Sequence, residues 1–183
     1  MGPEDVMFQA DIGGGARVDP GHGVQRPGYM VRDFALSSSQ GEDVRVSSFR
    51  GQTSLVLVFS GYSDALCAFL DEAARRRPEF SEQEAIVVVI LPYAREERGV
   101  PSANGSPILE LYDDTHSVHH LSGASDGKDS LVPVVYVTDR YGEIVSTYAV
   151  SGRLLPPTVD EILRTLEFVN HQCPECEPPE WPR

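Results

Sequence analysis

Two stretches of this chain are apolar at nearly every position: SLVLVFS at residues 54–60 and EAIVVVIL at residues 84–91. Both are short, rich in β-branched residues and far from the length of a membrane span, which predicts strands covered on both faces. Between them, Leu66, Phe69, Leu70 and Ala73 recur at helical spacing from a start near Ser63 or Asp64, and Pro78 is expected to end that helix. Strand, helix and second buried strand in this order imply a parallel pair with a right-handed crossover.

The flanking segments extend the pattern. Residues 1–28 are rich in Gly, Pro and Asp and read as a flexible arm. Residues 31–50 predict two short strands around the turn SSQGED, an N-terminal β-hairpin. AREERGVPSANGSP (94–107) reads as a loop, ILELYDD (108–114) as a short edge element, and THSVHHLSGA (115–124) as a short helix closed by Gly123. LVPVVYVTD (131–139) and EIVSTYAV (143–150) predict a second hairpin around DRYG. PTVDEILRTLEFVNHQ (157–172) is the clearest helix, with Thr158 and Glu161 as a capping box and Val159, Ile162, Leu163, Leu166 and Val169 as its apolar stripe. The sum is an α/β domain over residues 29–172, a central mixed sheet with helices on both faces, followed by a tail at 173–183.

Composition narrows the function classes. With 183 residues there is material for one sizeable core. The net charge of −13, from 28 acidic against 15 basic residues, repels phosphate backbones and argues against nucleic acid as a partner. The one basic run, Arg75-Arg76-Arg77, falls at a predicted helix end, where cations suit the dipole. No membrane partner is expected, and the opening MGPEDVMFQADIGGG lacks a basic-then-apolar leader, so the expected location is cytoplasmic. The three cysteines, Cys67, Cys173 and Cys176, are too few for a secreted disulfide scaffold and suit a reducing compartment with specialised thiols.

The chemistry centres on Cys67, in the first turn of the helix after the first core strand. Unsatisfied amides and the helix dipole there favour a thiolate, the form that attacks peroxides and disulfides. Asp64, three residues earlier, works the other way as a like charge, and as N-cap it would occupy amides the sulfur wants. A protonated Asp64 would instead pass its proton to a leaving group. Cys67 is thus either a nucleophile or an inert helical cysteine. Cys173-Pro-Glu-Cys176 has the spacing of a disulfide, a resolving redox pair or half of a zinc site with His171, and also that of an unspecialised tail. His116, His119 and His120, near Asp113 and Asp114, fit a polar surface helix better than a metal site. Tyr62 is placed to pack over the sulfur or fill the sheet edge, and Trp181 with its neighbouring prolines to dock the tail on an apolar patch.

The element order, with a cysteine directly after the first core strand, is that of the thioredoxin fold. Asp33, Phe34, Leu36, Gly41, Val44, Phe49, Arg50 and Gly51 further resemble the opening pattern of the peroxiredoxin-like family, the alkyl hydroperoxide reductase/thiol-specific antioxidant or redoxin group. VPVVYVTDRYGEIV resembles its later hairpin. The chain departs from that family's Pro-x-x-x-Thr-x-x-Cys, carrying Ser60-x-x-x-Asp64-x-x-Cys67, and Asp64 also stands where thioredoxins have their first cysteine. No arginine matches the family's later-strand arginine; Leu131-Val132-Pro133 looks closer to thioredoxin's cis-proline site, which implies a cis Pro133 beside the sulfur.

The resemblance implies a thiol-dependent oxidoreductase that reduces peroxides or protein disulfides in an antioxidant role. Cys67 would be the nucleophile, Asp64 would tune it and Pro133 would shape the site. A thiol reductant or disulfide partner protein would supply electrons, homodimers being common in the group. No organic cofactor and no metal are implied, because sulfur itself carries the electrons. The alternative is a degenerate redoxin serving as a non-catalytic binding or regulatory module; a third reading is a dimer tethered by zinc through the tail cysteines.

Overall fold

The structure, a computed structural model, describes residues 23–61, 64–93, 108–126, 130–150 and 155–171. The strands are β1 (Ala35–Ser38), β2 (Asp43–Arg45), β3 (Ser54–Phe59), β4 (Ala85–Leu91), β5 (Leu109–Tyr112), β6 (Val134–Thr138) and β7 (Ile144–Ala149). They form one sheet in the order β2-β1-β5-β4-β3-β6-β7. β3 runs parallel to β4, from Ser54 opposite Ala85 to Phe59 opposite Ile90, and antiparallel to β6, with Phe59 opposite Val134. The N-terminal hairpin, the parallel core pair and the C-terminal hairpin all form as the sequence predicts.

All six residues of β3 are buried, and alternation sorts them between two cores. Val56 and Val58 face the helices α1 (Asp64–Arg75), α2 (Arg77–Glu82) and α4 (Val159–Asn170), packing with Leu66, Phe69, Phe80, Ile162 and Leu166. Leu55, Leu57 and Phe59 face the hairpin and the short helix α3 (Ser117–Leu121), packing with Phe34, Val46, Leu111, Val118 and Tyr136. Helices therefore cover both faces. α4 opens on the predicted capping box: Glu161 N–H donates to Thr158 Oγ1 at 3.2 Å and Thr158 N–H to Glu161 Oε2 at 2.7 Å.

Two expectations need amending. Pro78 ends α1 as expected, but it also opens a second helix: it sits in the first turn of α2, where its missing N–H costs no hydrogen bond, and the break falls at Arg76. Its ring would clash with the carbonyl four residues earlier if α1 continued through it. Arg76 uses the break to pin three helices, pairing with Glu72 (3.3 Å), Glu79 (2.7 Å) and Asp160 (2.6 Å). The second correction is β5, expected at an edge but lying inside the sheet, parallel to β4 and antiparallel to β1. Its Glu110 suggests exposure, yet it is buried and accepts a hydrogen bond from the Tyr112 hydroxyl at 3.3 Å.

The face beneath α3 is held by buried polar groups. Asp113, just past β5, is fully buried and accepts from the backbone N–H of His119 (2.8 Å) and from its Nδ1 (2.7 Å). Burial pushes the Asp113 carboxyl up, but its hydrogen bonds from His119 and Val118 and the histidine's charge outweigh this and hold it below its usual range. Tyr136 donates to Ser122 O (2.7 Å) and accepts from Gln25 N–H (3.1 Å); burial pushes its phenol up to about 12. Residues 24–28, read from sequence with the arm, are tied in by this bond, by Thr147 Oγ1 to Gln25 O (2.9 Å) and by Gly28 N–H to Ile144 O (2.8 Å). Gly123, at φ +73°, lets this strap approach: a Cβ there would lie 1.7 Å from Gly23 O.

Two outcomes are expected. Gly123→Ala combines a left-handed backbone with a backbone clash and should lower unfolding free energy by about 2–4 kcal/mol in urea titration. Asp113→Ala should cost about 3 kcal/mol at neutral pH. Because the folded carboxyl titrates below its unfolded value of about 3.9, its contribution is complete above that pH and is lost as pH falls through the folded value. Urea midpoints measured from pH 6 downward should therefore fall more steeply for the wild type than for Asp113→Asn.

Candidate active site

The parallel strands β3, β4 and β5 end at the same edge of the sheet, at Phe59, Leu91 and Tyr112, and β6 begins there at Val134. Two backbone bonds and one side-chain contact lace this edge together: Ser60 N–H to Ile90 O (3.0 Å), Asp113 N–H to Leu91 O (2.8 Å) and His116 Nε2 to Pro92 O (2.8 Å). Crevices at strand carboxyl ends are where open α/β sheets bind ligands. The chain leaves β3 here and turns into α1.

Cys67 lies in the first turn of α1 and is exposed, while its neighbours Leu66 and Phe69 are buried against the sheet. The helical repeat explains this: one face of α1 is committed to the core, and Cys67 falls on the other. The sulfur is therefore open to solvent, at a helix end whose leading N–H groups have no intrahelical acceptors. Asp64 is the first residue of α1; its side chain, like Tyr62 and the tail pair Cys173 and Cys176, lies outside the described residues.

Pro133 is brought to this edge. Gly61 sits against its ring so closely that a Cβ at position 61 would lie 2.9 Å from Pro133 Cγ and 3.2 Å from Cδ. The loop entering the cysteine helix and the start of β6 are thus in direct contact, through a glycine that no motif singles out. The expected cis bond is absent: among the described residues every peptide is trans. The approach to Pro133 is held extended by Val132 N–H to Ala124 O (3.0 Å) and by the Ser125–Leu131 bridge, the conformation a trans proline favours in the residue before it. Pro133 O then accepts from Val150 N–H at 2.8 Å, continuing the β6–β7 pairing.

The three histidines do not converge. His116 meets Pro92 O, His119 is buried on Asp113, and His120 Nδ1 meets Ser125 Oγ at 2.7 Å. Spacing alone could not foresee the Asp113–His119 pair, because the turn at Asp114 and Thr115 folds the helix back over the end of β5. His171, at the end of α4, is exposed, with Nδ1 on Glu167 O at 2.6 Å. No helix of the described residues is long and apolar enough to cross a membrane.

No protein-family model matches this sequence, and no curated protein matches it significantly. Solved structures do. AhpC of Mycobacterium tuberculosis superposes with a TM-score of 0.66 at 14% identity, over 82% of this chain and 97% of that one. The reduced 2-Cys peroxiredoxin of Plasmodium vivax gives 0.66 at 17% identity, over 79% and 82%. Thioredoxin peroxidase I of Plasmodium yoelii gives 0.66 at 16%, over 82% and 97%. At these identities the likeness is one of architecture, and it covers nearly the whole of the compared chains: the protein is built on the peroxiredoxin-like form of the thioredoxin fold.

Proposed function

We propose that the protein is a thiol-dependent oxidoreductase that reduces peroxides or disulfides through Cys67, in an antioxidant role in the cytoplasm. The observation that carries this reading is an exposed cysteine in the first helical turn after β3, within a peroxiredoxin-like fold.

In the peroxide reaction the Cys67 thiolate attacks one peroxide oxygen and the O–O bond breaks. The sulfur leaves as a sulfenic acid, and the departing alkoxide or hydroxide takes a proton. A thiol then condenses with the sulfenic acid, forming a disulfide and releasing water. A further thiol reduces that disulfide and restores Cys67. With a disulfide substrate, the thiolate attacks sulfur instead and the first product is a mixed disulfide. Asp64 takes the place of a neutral residue or a second thiol near Cys67, and in this reading it slows thiolate formation while offering a proton to the leaving group. Gly61 and Pro133 shape the wall of the site.

Cys173 and Cys176 are the proposed resolving pair. α4 ends beside Gln83, at the sheet edge opposite Cys67, with Asn170 Nδ2 donating to Gln83 O at 2.8 Å. The resolving thiol therefore comes most directly from a second copy of the chain, in a homodimer, or from an external thiol reductant or disulfide partner protein. The second reading, a redoxin fold retained as a non-catalytic binding module, is favoured by one observation: Ser60 and Asp64 stand where the resembling family has Pro and Thr.

Peroxide consumption with a small-thiol reductant separates the two. Cys67→Ser should lose turnover by at least about 10²-fold, as expected for removal of a nucleophile, while Cys173→Ser still forms sulfenic acid at Cys67 by mass spectrometry. Equal background rates in the wild type and both variants would leave the binding module. Asp64→Asn, which removes the like charge, should raise the rate of Cys67 alkylation at neutral pH by about 2- to 10-fold.

A further inference from the structure

Residues 24–32 form a groove of about 650 Å³ along β7, from Val24, beside Gly123 near the Cys67 end of the sheet, to Met30, paired with Glu143 at the opposite end. Val24 and Met30 line it, Tyr29 stands in it 64% exposed, and Arg26 and Arg32 flank it. Among the described residues neither guanidinium has a carboxylate or hydrogen-bond acceptor as partner. The nearest sequence neighbour able to neutralise them, Asp33, is already engaged by Arg45 (2.6 Å) and Ser47 N–H (3.1 Å). Two cations without a partner around an exposed tyrosine have a definite chemistry: they fit an acidic, aromatic peptide.

We propose that the occupant is the chain's own C-terminal segment, residues 172–183, QCPECEPPEWPR. Its charge is complementary, with Glu175, Glu177 and Glu180 against Arg183. Trp181 between prolines supplies a flat apolar surface for Tyr29 and Met30. The segment also starts at the right edge of the molecule. Asn170, in the last turn of α4, bonds to Gln83; the adjacent Glu84 lies 3.7 Å from Arg140; and Gly142, in the same turn as Arg140, accepts from Val31 N–H at 2.9 Å. From β4 to β7 is three strand spacings, about 14 Å. A segment of this length extends to about 40 Å. The tail is thus a latch over the strap of residues 24–32. This inference does not depend on the oxidoreductase reading.

Trp181 is the only tryptophan in the chain, so its fluorescence reports the tail directly. In the reduced, full-length protein at low salt, its emission is expected to be blue-shifted and shielded from acrylamide relative to a synthetic peptide of residues 172–183. The double variant Arg26→Glu/Arg32→Glu should lose both the shift and the shielding while far-UV circular dichroism and the thermal midpoint stay unchanged. Neutralising the other partner with Glu175→Gln/Glu177→Gln/Glu180→Gln, which leaves the groove intact, should do the same, and added salt should weaken the effect in the wild type. Wild-type emission identical to the peptide's overturns the proposal, as does a folded Arg26→Glu/Arg32→Glu protein that keeps the wild-type spectrum. Emission that stays constant on dilution supports docking within one chain; a red shift on dilution assigns the tail to a second copy's groove and overturns the intrachain latch.

Discussion

β3 has no solvent face. Every side chain from Ser54 to Phe59 is buried, so neither the strand nor its backbone can be satisfied by water on any side. That single constraint organises the molecule. The strand must have a hydrogen-bonded partner on each side, which β4 and β6 provide, and an apolar layer above and below. The helices α1, α2 and α4 supply one layer, and the hairpin with α3 supplies the other. Burying a side chain of this size is worth about 1.5–3 kcal/mol, so a strand with such residues on both faces gains roughly twice what a one-faced strand would.

The position of the cysteine follows from the same strand. Because β3 is held on four sides, the chain can leave it only at its end, and α1 must start there with one face already committed to the core. Leu66 and Phe69 take that face, and Cys67 is left outward at the helix start. The neighbouring ends of β4, β5 and β6 are then locked to this point by short backbone bonds and by the contact of Gly61 with Pro133. Among the described residues, the exposed sulfur stands at an edge built from strand ends.

Charge is distributed unevenly around this frame. The carboxylates of α1, α2 and α4 are partly gathered by Arg76, whose guanidinium is held charged by Glu79 and Asp160. The buried charge of Asp113 is compensated locally by His119 and backbone N–H groups. Arg26 and Arg32, on the strap of residues 24–32 along β7, lie outside these pairings.

Local periodicity and adjacent capping residues suffice to specify the two buried strands, both hairpins, the capped terminal helix and the cysteine at a helix start. The sequence also carried the resemblance in element order to the fold that the solved structures share. Relations between distant segments emerge only on packing. Glu110 looks like an edge residue until Tyr112 and the flanking strands enclose it, and Pro78 looks like a stop until a second helix begins around it. The extended approach to Pro133 comes from the pairing of residues 124–125 with residues 131–132, and the Asp113–His119 pair from a turn that folds α3 back onto β5. Local sequence sets which faces are apolar and where helices can start; which residues meet across the sheet is fixed only when those faces are packed together.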